Sequence, residues 1–92
     1  MKTHEVKSWP EFFEPVFNGV KTFELRENDR RYKPGDLLVL KEWNPTTEEY
    51  TGRQCRKRIS YVFEGAGTVG VIAPLRGISH GFAILQLMDT AT

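Results

Sequence analysis

The sequence contains a single cysteine, Cys55, among its 92 residues, so no disulfide can form within the chain. It has no apolar run approaching the roughly 20 residues that a membrane-spanning helix needs. Charges are scattered through Met1–Phe13, where a signal peptide would carry an uninterrupted apolar stretch. We therefore expect a protein of a reducing compartment, most simply the cytoplasm, with no membrane partner.

Motifs for metals, cofactors and activated nucleophiles are also missing. His4, His80 and Cys55 lack the spacing of zinc ligands, and neither Cys-x-x-Cys nor His-x-x-x-His occurs. The chain has no glycine-rich phosphate loop, no nucleophile elbow and no Cys–His spacing typical of a catalytic pair. We expect no metal site and no cofactor.

Positive charge is concentrated in one stretch, although the formal net charge is only +1. Residues 53–58 contain no acid, and their cations are Arg53, Arg56, Lys57 and Arg58. Such a patch can attract a polyanion even on a near-neutral protein, because the local field steers the ligand. The alternative is an ordinary solvated strand face.

The length fits one compact domain over residues 1–92 and is too short for two; we expect a monomer. After a weakly alternating strand at residues 3–7, Ser8 and Glu11 have the spacing of a helix capping box. We expect the helix to end near Asn18, with Gly19 in the left-handed conformation that often follows a helix. The apolar stripe of this helix comprises Trp9, Phe12, Phe13, Val16 and Phe17.

Four further strands are predicted by alternation and apolar runs, at residues 22–26, 37–43, 53–63 and 82–88. Pro and Gly at the centre of Lys33–Asp36 predict a type II turn. The last strand, apolar on both faces, should be central in its sheet, and the loops should cover residues 27–36, 44–52 and 64–81. One N-terminal helix with about five short strands predicts a mainly β fold, a small closed or nearly closed barrel.

Alternation also assigns side chains to the faces of two strands. In residues 22–26, Phe23 and Leu25 share the face that serves folding, while Glu24 and Arg26 lie side by side on a polar face. In residues 53–63 one face is expected to carry Cys55, Ile59, Tyr61 and Phe63, and the opposite face Gln54, Arg56 and Arg58.

Five short motifs occur in order along the chain: His4–Lys7, Trp9–Phe13, Gly19–Arg30, Gly35–Asp36 and Tyr50–Arg53. The run Gly-x-Lys-x-Phe-Glu-x-Arg within the third resembles the signature of ASCH domains, relatives of the RNA-binding PUA fold. More narrowly, the chain is similar to a family of small uncharacterised bacterial and phage proteins. The resemblance covers residues 4–63 and implies a PUA-like, ASCH-type β-barrel.

The resemblance implies an RNA- or nucleotide-binding module with a cleft centred on Lys21, Glu24 and Arg26. A lysine there can bind phosphate as a flexible point charge, and Glu24 with Arg26 could instead form a structural ion pair. Trp9 and Tyr61 could offer stacking surfaces for bases, although core packing is the simpler role for Trp9. The expected nucleic-acid-binding set is Lys21, Glu24, Arg26, Asn28, Arg30, Arg56 and Arg58.

Two other functions stay open. The first is an enzyme acting on a modified nucleoside or on RNA, with Lys21 or Glu24 as base or nucleophile. Related amidohydrolases of acetylated nucleosides carry a Thr where this chain has Glu24, which favours binding over that chemistry. The second is an accessory protein of a phage or mobile element that binds a host protein through residues 64–81, where Val69, Val71 and Ile72 would form an apolar surface.

Overall fold

The five strands of the described residues form one sheet, and one short helix packs against it. A computed structural model describes residues 1–65 and 81–90. The elements are β1 (Thr3–Ser8), α1 (Pro10–Phe17), β2 (Phe23–Glu27), β3 (Leu37–Asn44), β4 (Glu49–Gly65) and β5 (Phe82–Asp89). The strand order is β1-β3-β4-β5-β2, and the sheet curls into a half-barrel. The predicted mainly β, barrel-like fold with one N-terminal helix is confirmed.

Strand pairing follows simple rules of connection. β1 and β3 are parallel, and α1 with β2 lies between them in sequence; every other pair is antiparallel. β5 lies between β4 and β2, which confirms the prediction that the last strand is interior.

Within the described ranges, α1 is too short to cross a bilayer and no helix there is a candidate span.

The core lies on the inner, concave face of the half-barrel. Phe13 and Val16 of α1 cover this face and are fully buried. The largest strand side chains beneath them are Leu38, Leu40, Ile59 and Leu85. β3 is buried on both faces at residues 37–40, as its continuous apolar run predicts.

The start of α1 differs from the prediction. The helix begins at Pro10, and its N-cap is Trp9, whose carbonyl accepts the N–H groups of Phe12 and Phe13 without any side-chain cap. Ser8 instead ends β1 and is buried. The predicted capping box was wrong because the alternation of β1 continues one residue further and points Ser8 into the interior.

The apolar stripe of α1 is only partly buried. Phe13 and Val16 enter the core, whereas Trp9, Phe12 and Phe17 are exposed. Core packing of Trp9 was therefore the wrong expectation. An eight-residue helix on a curled sheet can bury only the line of side chains directly above the sheet.

Two predicted turns are confirmed and one loop is shorter than expected. Gly19 follows α1 with φ +84°, and Gly35 has φ +96° in the Lys33–Asp36 turn, where the N–H of Asp36 donates to the carbonyl of Lys33. The hairpin connection spans residues 45–48 rather than 44–52. β4 continues to Gly65, so residues 64 and 65 are strand rather than loop, and residues 66–80 lie outside the described ranges.

A register shift in β4 changes which side chains face inward. The pairing between β4 and β5 slips between Ile59 and Tyr61, so Ile59 is buried while Tyr61 and Phe63 are exposed. The prediction that Tyr61 and Phe63 share the face of Cys55 was wrong. An extra residue at a bulge inverts every later side chain of the strand.

Candidate functional site

Two polar residues of β2, Glu24 and Arg26, point into the half-barrel. Glu24 pairs with Leu85 and Arg26 with Ala83, and directly paired residues share one face of a sheet. Both partners are buried core residues, so Glu24 and Arg26 lie on the inner face. Phe23, expected on the folding face, is exposed on the outer one. The alternation was therefore predicted correctly, but its inward and outward faces were exchanged.

Glu24 is a buried carboxylate held by two cations from its own segment. Arg26 Nη1 donates to Oε2 of Glu24 at 3.2 Å and to the carbonyl of Lys7 at 3.1 Å. Lys21 Nζ lies 4.0 Å from Oε1. The Glu24–Arg26 ion pair considered from sequence is confirmed, and Arg26 also ties β2 to the end of β1.

The electrostatics of Glu24 are unusual for an ion-paired carboxylate. Burial raises the pKa of Glu24 above 4.5, and the charges of Arg26 and Lys21 oppose that rise only in part. Within the described residues Oε1 accepts no hydrogen bond. A buried acceptor without a partner costs about 1–3 kcal/mol. A ligand that donates an N–H or O–H group to this oxygen would recover part of that cost.

Two further buried oxygens without a partner belong to residues near Arg26. In the described residues the complete set is Ser8 Oγ, Glu24 Oε1 and Tyr32 OH. Ser8 follows Lys7, whose carbonyl Arg26 binds, and burial raises the pKa of Tyr32 while the nearby Arg26 opposes that rise. Sequence reasoning missed both residues. The only available signal was the alternation of β1, which reaches Ser8.

Lys21 lies where the polar interior meets exposed aromatic rings. Its ammonium is 5.2 Å from the ring centroid of Phe23 and 5.8 Å from that of Phe12. A shallow pocket of about 210 Å³ opens beside it, lined by Gly19, Lys21, Thr22, Lys57, Leu87, Met88 and Asp89. Lys57 places a second ammonium there, paired with the exposed Asp89 at 2.6 Å.

The other residues predicted to bind nucleic acid do not all lie beside Lys21, Glu24 and Arg26. Asn28 donates from Nδ2 to Glu64 at 2.8 Å and its side chain therefore braces β2 against the end of β4. Arg30 is exposed in the following loop. Arg56 and Arg58 pair with Val39 and Leu37 of β3, on the opposite face from Glu24. The structure thus brings together Lys21, Glu24 and Arg26, and separates Arg56 and Arg58 from them.

The His4 motif is explained by a buried contact with the Gly-Asp turn. His4 Nε2 lies 2.8 Å from Asp36 Oδ2, and the N–H groups of Lys2 and Lys33 also donate to the Asp36 carboxylate. Burial would raise the pKa of Asp36, but these hydrogen bonds outweigh it and leave the pKa below its usual 3.8. This cluster fixes the Lys33–Asp36 turn to β1, and its position favours a structural role.

The Tyr-Thr-Gly-Arg motif builds a second structural cluster. Arg53 donates to both oxygens of the buried Glu42 at 3.0 Å, and Thr51 Oγ1 donates to the same carboxylate at 2.6 Å. Arg53 also contacts Glu14 of α1 at 2.6 Å and lies over the ring of Phe13. Hydrogen bonds from Arg53 and Thr51 hold the pKa of Glu42 below its usual 4.5. Arg53 therefore joins α1 to the β3–β4 hairpin instead of adding to a free basic patch.

Among the described residues, no group of three His, Cys, Asp or Glu side chains is placed to hold a metal ion. Fold and site together define a small half-barrel domain with Glu24 and Arg26 on its inner face and the Lys21 ammonium beside them. The chain belongs to the family described as "Domain of unknown function (DUF3850)", whose model matches residues 3–87.

One curated relative is the "Uncharacterized 12.9 kDa protein in GpA 3'region" of Escherichia phage P2. It is 43% identical over 61 residues, which are 66% of this chain and 54% of the relative. The chain thus spans about half the length of the relative that it matches. The predicted similarity to small uncharacterised phage and bacterial proteins is confirmed at this level.

Proposed function

We propose that this domain is an ASCH-like, PUA-related module that binds RNA or a nucleotide in the cleft around Lys21, Glu24 and Arg26. The observation that carries the proposal is the position of Lys21, whose ammonium lies between two exposed aromatic rings and next to a buried carboxylate oxygen that lacks a partner. A nucleotide presents the matching set of groups: a flat base, N–H donors at its edge and an anionic phosphate.

The assigned roles follow from the geometry of each group. Phe23 or Phe12 stacks on the base, because both rings are exposed beside the cleft. Lys21 binds the phosphate and can leave Glu24 at little cost, since 4.0 Å is too long for a hydrogen bond. Glu24 Oε1 then accepts an N–H from the base edge. Arg26 keeps the carboxylate in place through its bonds to Oε2 and to Lys7.

Calorimetric titration with the four ribonucleoside 5′-monophosphates and with a four-nucleotide RNA tests this proposal. We expect Lys21→Ala to weaken binding about tenfold or more and to lower the dependence of affinity on salt. Lys33→Ala is the matched control, because Lys33 is an exposed lysine of the turn before β3. Equal affinities for wild type, Lys21→Ala and Lys33→Ala would sink the proposal.

A second candidate is an enzyme acting on a modified nucleoside or RNA in the same cleft. The raised pKa of Glu24 favours it, since a shift in this direction favours the protonated carboxyl group that a general acid needs. Mass analysis of N-acylated nucleosides and of short RNA after incubation with the protein tests for turnover. Turnover abolished by Glu24→Gln, with nucleotide binding retained, would favour the enzyme over the binding module.

The location and partners proposed from sequence remain proposals. A cytoplasmic monomer agrees with the single cysteine, Cys55, which is buried and free. The protein-binding alternative through Val69, Val71 and Ile72 falls on residues outside the described ranges. The described residues therefore give no support to the protein-binding alternative.

A further inference from the structure

The outer, convex face of the sheet carries a group of exposed aromatic rings. Tyr61, Phe63 and Phe23 expose 56%, 51% and 49% of their surfaces. Tyr61 on β4 and Phe23 on β2 both pair with Gln86 of β5, and Phe63 pairs with Ile84. The three rings therefore lie on one face, on the two strands that flank β5.

The register shift in β4 aligns these rings with the basic residues. Before the shift Arg56 and Arg58 point outward; after it Tyr61 and Phe63 do. A strand without the bulge would have turned both rings into the core. Arg56 is exposed, and Arg58 donates from Nη1 to the carbonyl of Gly35 at 2.7 Å, which holds its guanidinium at this surface.

The same face has a second aromatic pair at its other end. Trp43 and Tyr50 are paired across β3 and β4, with ring centroids 5.0 Å apart. Lys7 Nζ lies 4.0 Å from the Trp43 ring centroid, and Lys41 Nζ lies 4.9 Å from that of Tyr50. Cations therefore lie beside aromatic rings at this end of the outer face as well.

The balance of charge on this face points to an anionic partner. Its cations are Lys7, Lys41, Arg56 and Arg58, and the acids that share it in register are Glu5 and Glu27. Glu5 is paired with Lys41 at 3.8 Å. A second copy of the chain would bring four cations against four others. A nucleic acid single strand offers both phosphates and free base faces, whereas a duplex hides the base faces.

We propose that the outer face of β4, β5 and β2 binds single-stranded nucleic acid, with bases stacked on Tyr61, Phe63 and Phe23 and the backbone beside Arg56 and Arg58. This inference rests on the proposed function for the class of ligand and shares Phe23 with it, but Tyr61, Phe63, Arg56 and Arg58 belong to the outer face alone. The molecule extends 33 Å in its longest direction, which agrees with the roughly 4–16 nucleotides that one small barrel domain of the OB type occupies.

Fluorescence anisotropy with a labelled 12-nucleotide single strand, and with its duplex, tests the inference. We expect Tyr61→Leu to weaken single-strand binding by roughly 5- to 100-fold, since base stacking on the ring is lost. Arg56→Gln should lower the slope of log affinity against log salt by about 0.7, as for one lost phosphate contact. Gln54→Ala, an uncharged change on the same face of β4, should leave both quantities unchanged. Phe63→Leu replaces Tyr61→Leu if thermal unfolding shows that variant to be misfolded.

Binding of the mononucleotides separates this inference from the proposed function. Lys21→Ala should weaken mononucleotide binding about tenfold or more, while Tyr61→Leu should leave it unchanged and weaken binding of the 12-nucleotide strand. Unchanged 12-nucleotide binding in both Tyr61→Leu and Arg56→Gln overturns the inference and leaves the cleft proposal standing. Equal affinity for strand and duplex also overturns it. Self-association of the wild-type protein that is lost in Tyr61→Leu would also overturn the inference, because the outer face would then bind a second copy of the chain.

Discussion

Arg26 donates to Oε2 of Glu24 at 3.2 Å, while Lys21 Nζ lies 4.0 Å from the other carboxylate oxygen. One buried carboxylate is therefore held by a fixed cation and by a looser one. Arg26 is fixed because it also donates to the carbonyl of Lys7, whereas the Lys21 ammonium has no second polar contact among the described residues. The difference determines what each substitution around Glu24 should do.

Removing either cation should raise the pKa of Glu24 further. We expect a wild-type midpoint above 4.5, a larger rise in Arg26→Met and a smaller one in Lys21→Met, because Arg26 contributes both charge and a hydrogen bond. Carboxyl ¹³C NMR over a pH series measures these midpoints. Lys33→Met is the control and should not move them. A wild-type midpoint at or below 4.5 would contradict the effect of burial.

The same shift makes a prediction about stability. Because the folded-state pKa of Glu24 exceeds 4.5, folding favours the protonated form, and the contribution of Glu24 to the unfolding free energy falls as pH rises from 4.5 through the folded pKa. Glu24→Gln removes this fall. Denaturant unfolding at several pH values between 4 and 8 measures it, and identical pH profiles for the two proteins would refute the prediction.

Acid should destabilise the turn that His4 holds. The pKa of Asp36 is depressed below 3.8, so its stabilising contribution is complete above 3.8 and is lost as pH falls through the folded pKa. Asp36→Asn should cost about 1–3 kcal/mol at neutral pH, because buried donors lose their charged acceptor. It should also lose less stability than wild type on acidification. Chemical denaturation at pH 7 and pH 3 compares the two.

Removing the hydrogen-bond partners of the buried Glu42 carboxylate should destabilise the fold. Thr51→Val takes away one hydrogen bond to the buried carboxylate and should cost about 1 kcal/mol. Arg53→Met leaves Glu42 without its counter-charge and should lower the melting temperature further than Thr51→Val does. Glu14→Gln, which removes only the exposed end of the same network, is the control. A lower melting temperature in Thr51→Val than in Arg53→Met would contradict the role of Arg53 as the main partner of Glu42.

The apolar stripe of α1 should divide into two core residues, Phe13 and Val16, and three surface residues. Phe13→Ala removes a fully buried ring and should cost about 3–5 kcal/mol. Phe12→Ala, at the adjacent exposed position, should cost about 1 kcal/mol or less. Urea unfolding of the two variants measures the difference. Similar losses for both would mean that the whole stripe packs in the core.

Much of the fold could be predicted because it depends on local chemistry. The left-handed Gly19, the Pro34–Gly35 turn and the doubly buried β3 all follow from residue types and their immediate neighbours. The predicted start of the helix was wrong because Ser8 fits both a helix-capping pattern and a strand pattern. The pairing of β1 with β3 makes Ser8 the last residue of the strand.

The candidate site was predicted in part. The sequence pointed to Lys21, Glu24 and Arg26, which the structure brings together, but it grouped Arg56 and Arg58 with them. It could not identify Tyr32 and Ser8, because neither residue type at those positions signals a buried oxygen without a partner. Only the tertiary structure places the buried oxygens of Tyr32 and Ser8 near Arg26.

By itself, the sequence determined the order of elements, the period-two alternation of the strands and the family to which the chain belongs, since these depend on neighbouring residues. Only the tertiary structure decided which face of each strand is inside. Glu24 points inward because Leu85 lies opposite it, and Tyr61 points outward because one extra residue in β4 shifts the register. Alternation is symmetric between the two faces of a strand, so its direction is set by what covers the sheet.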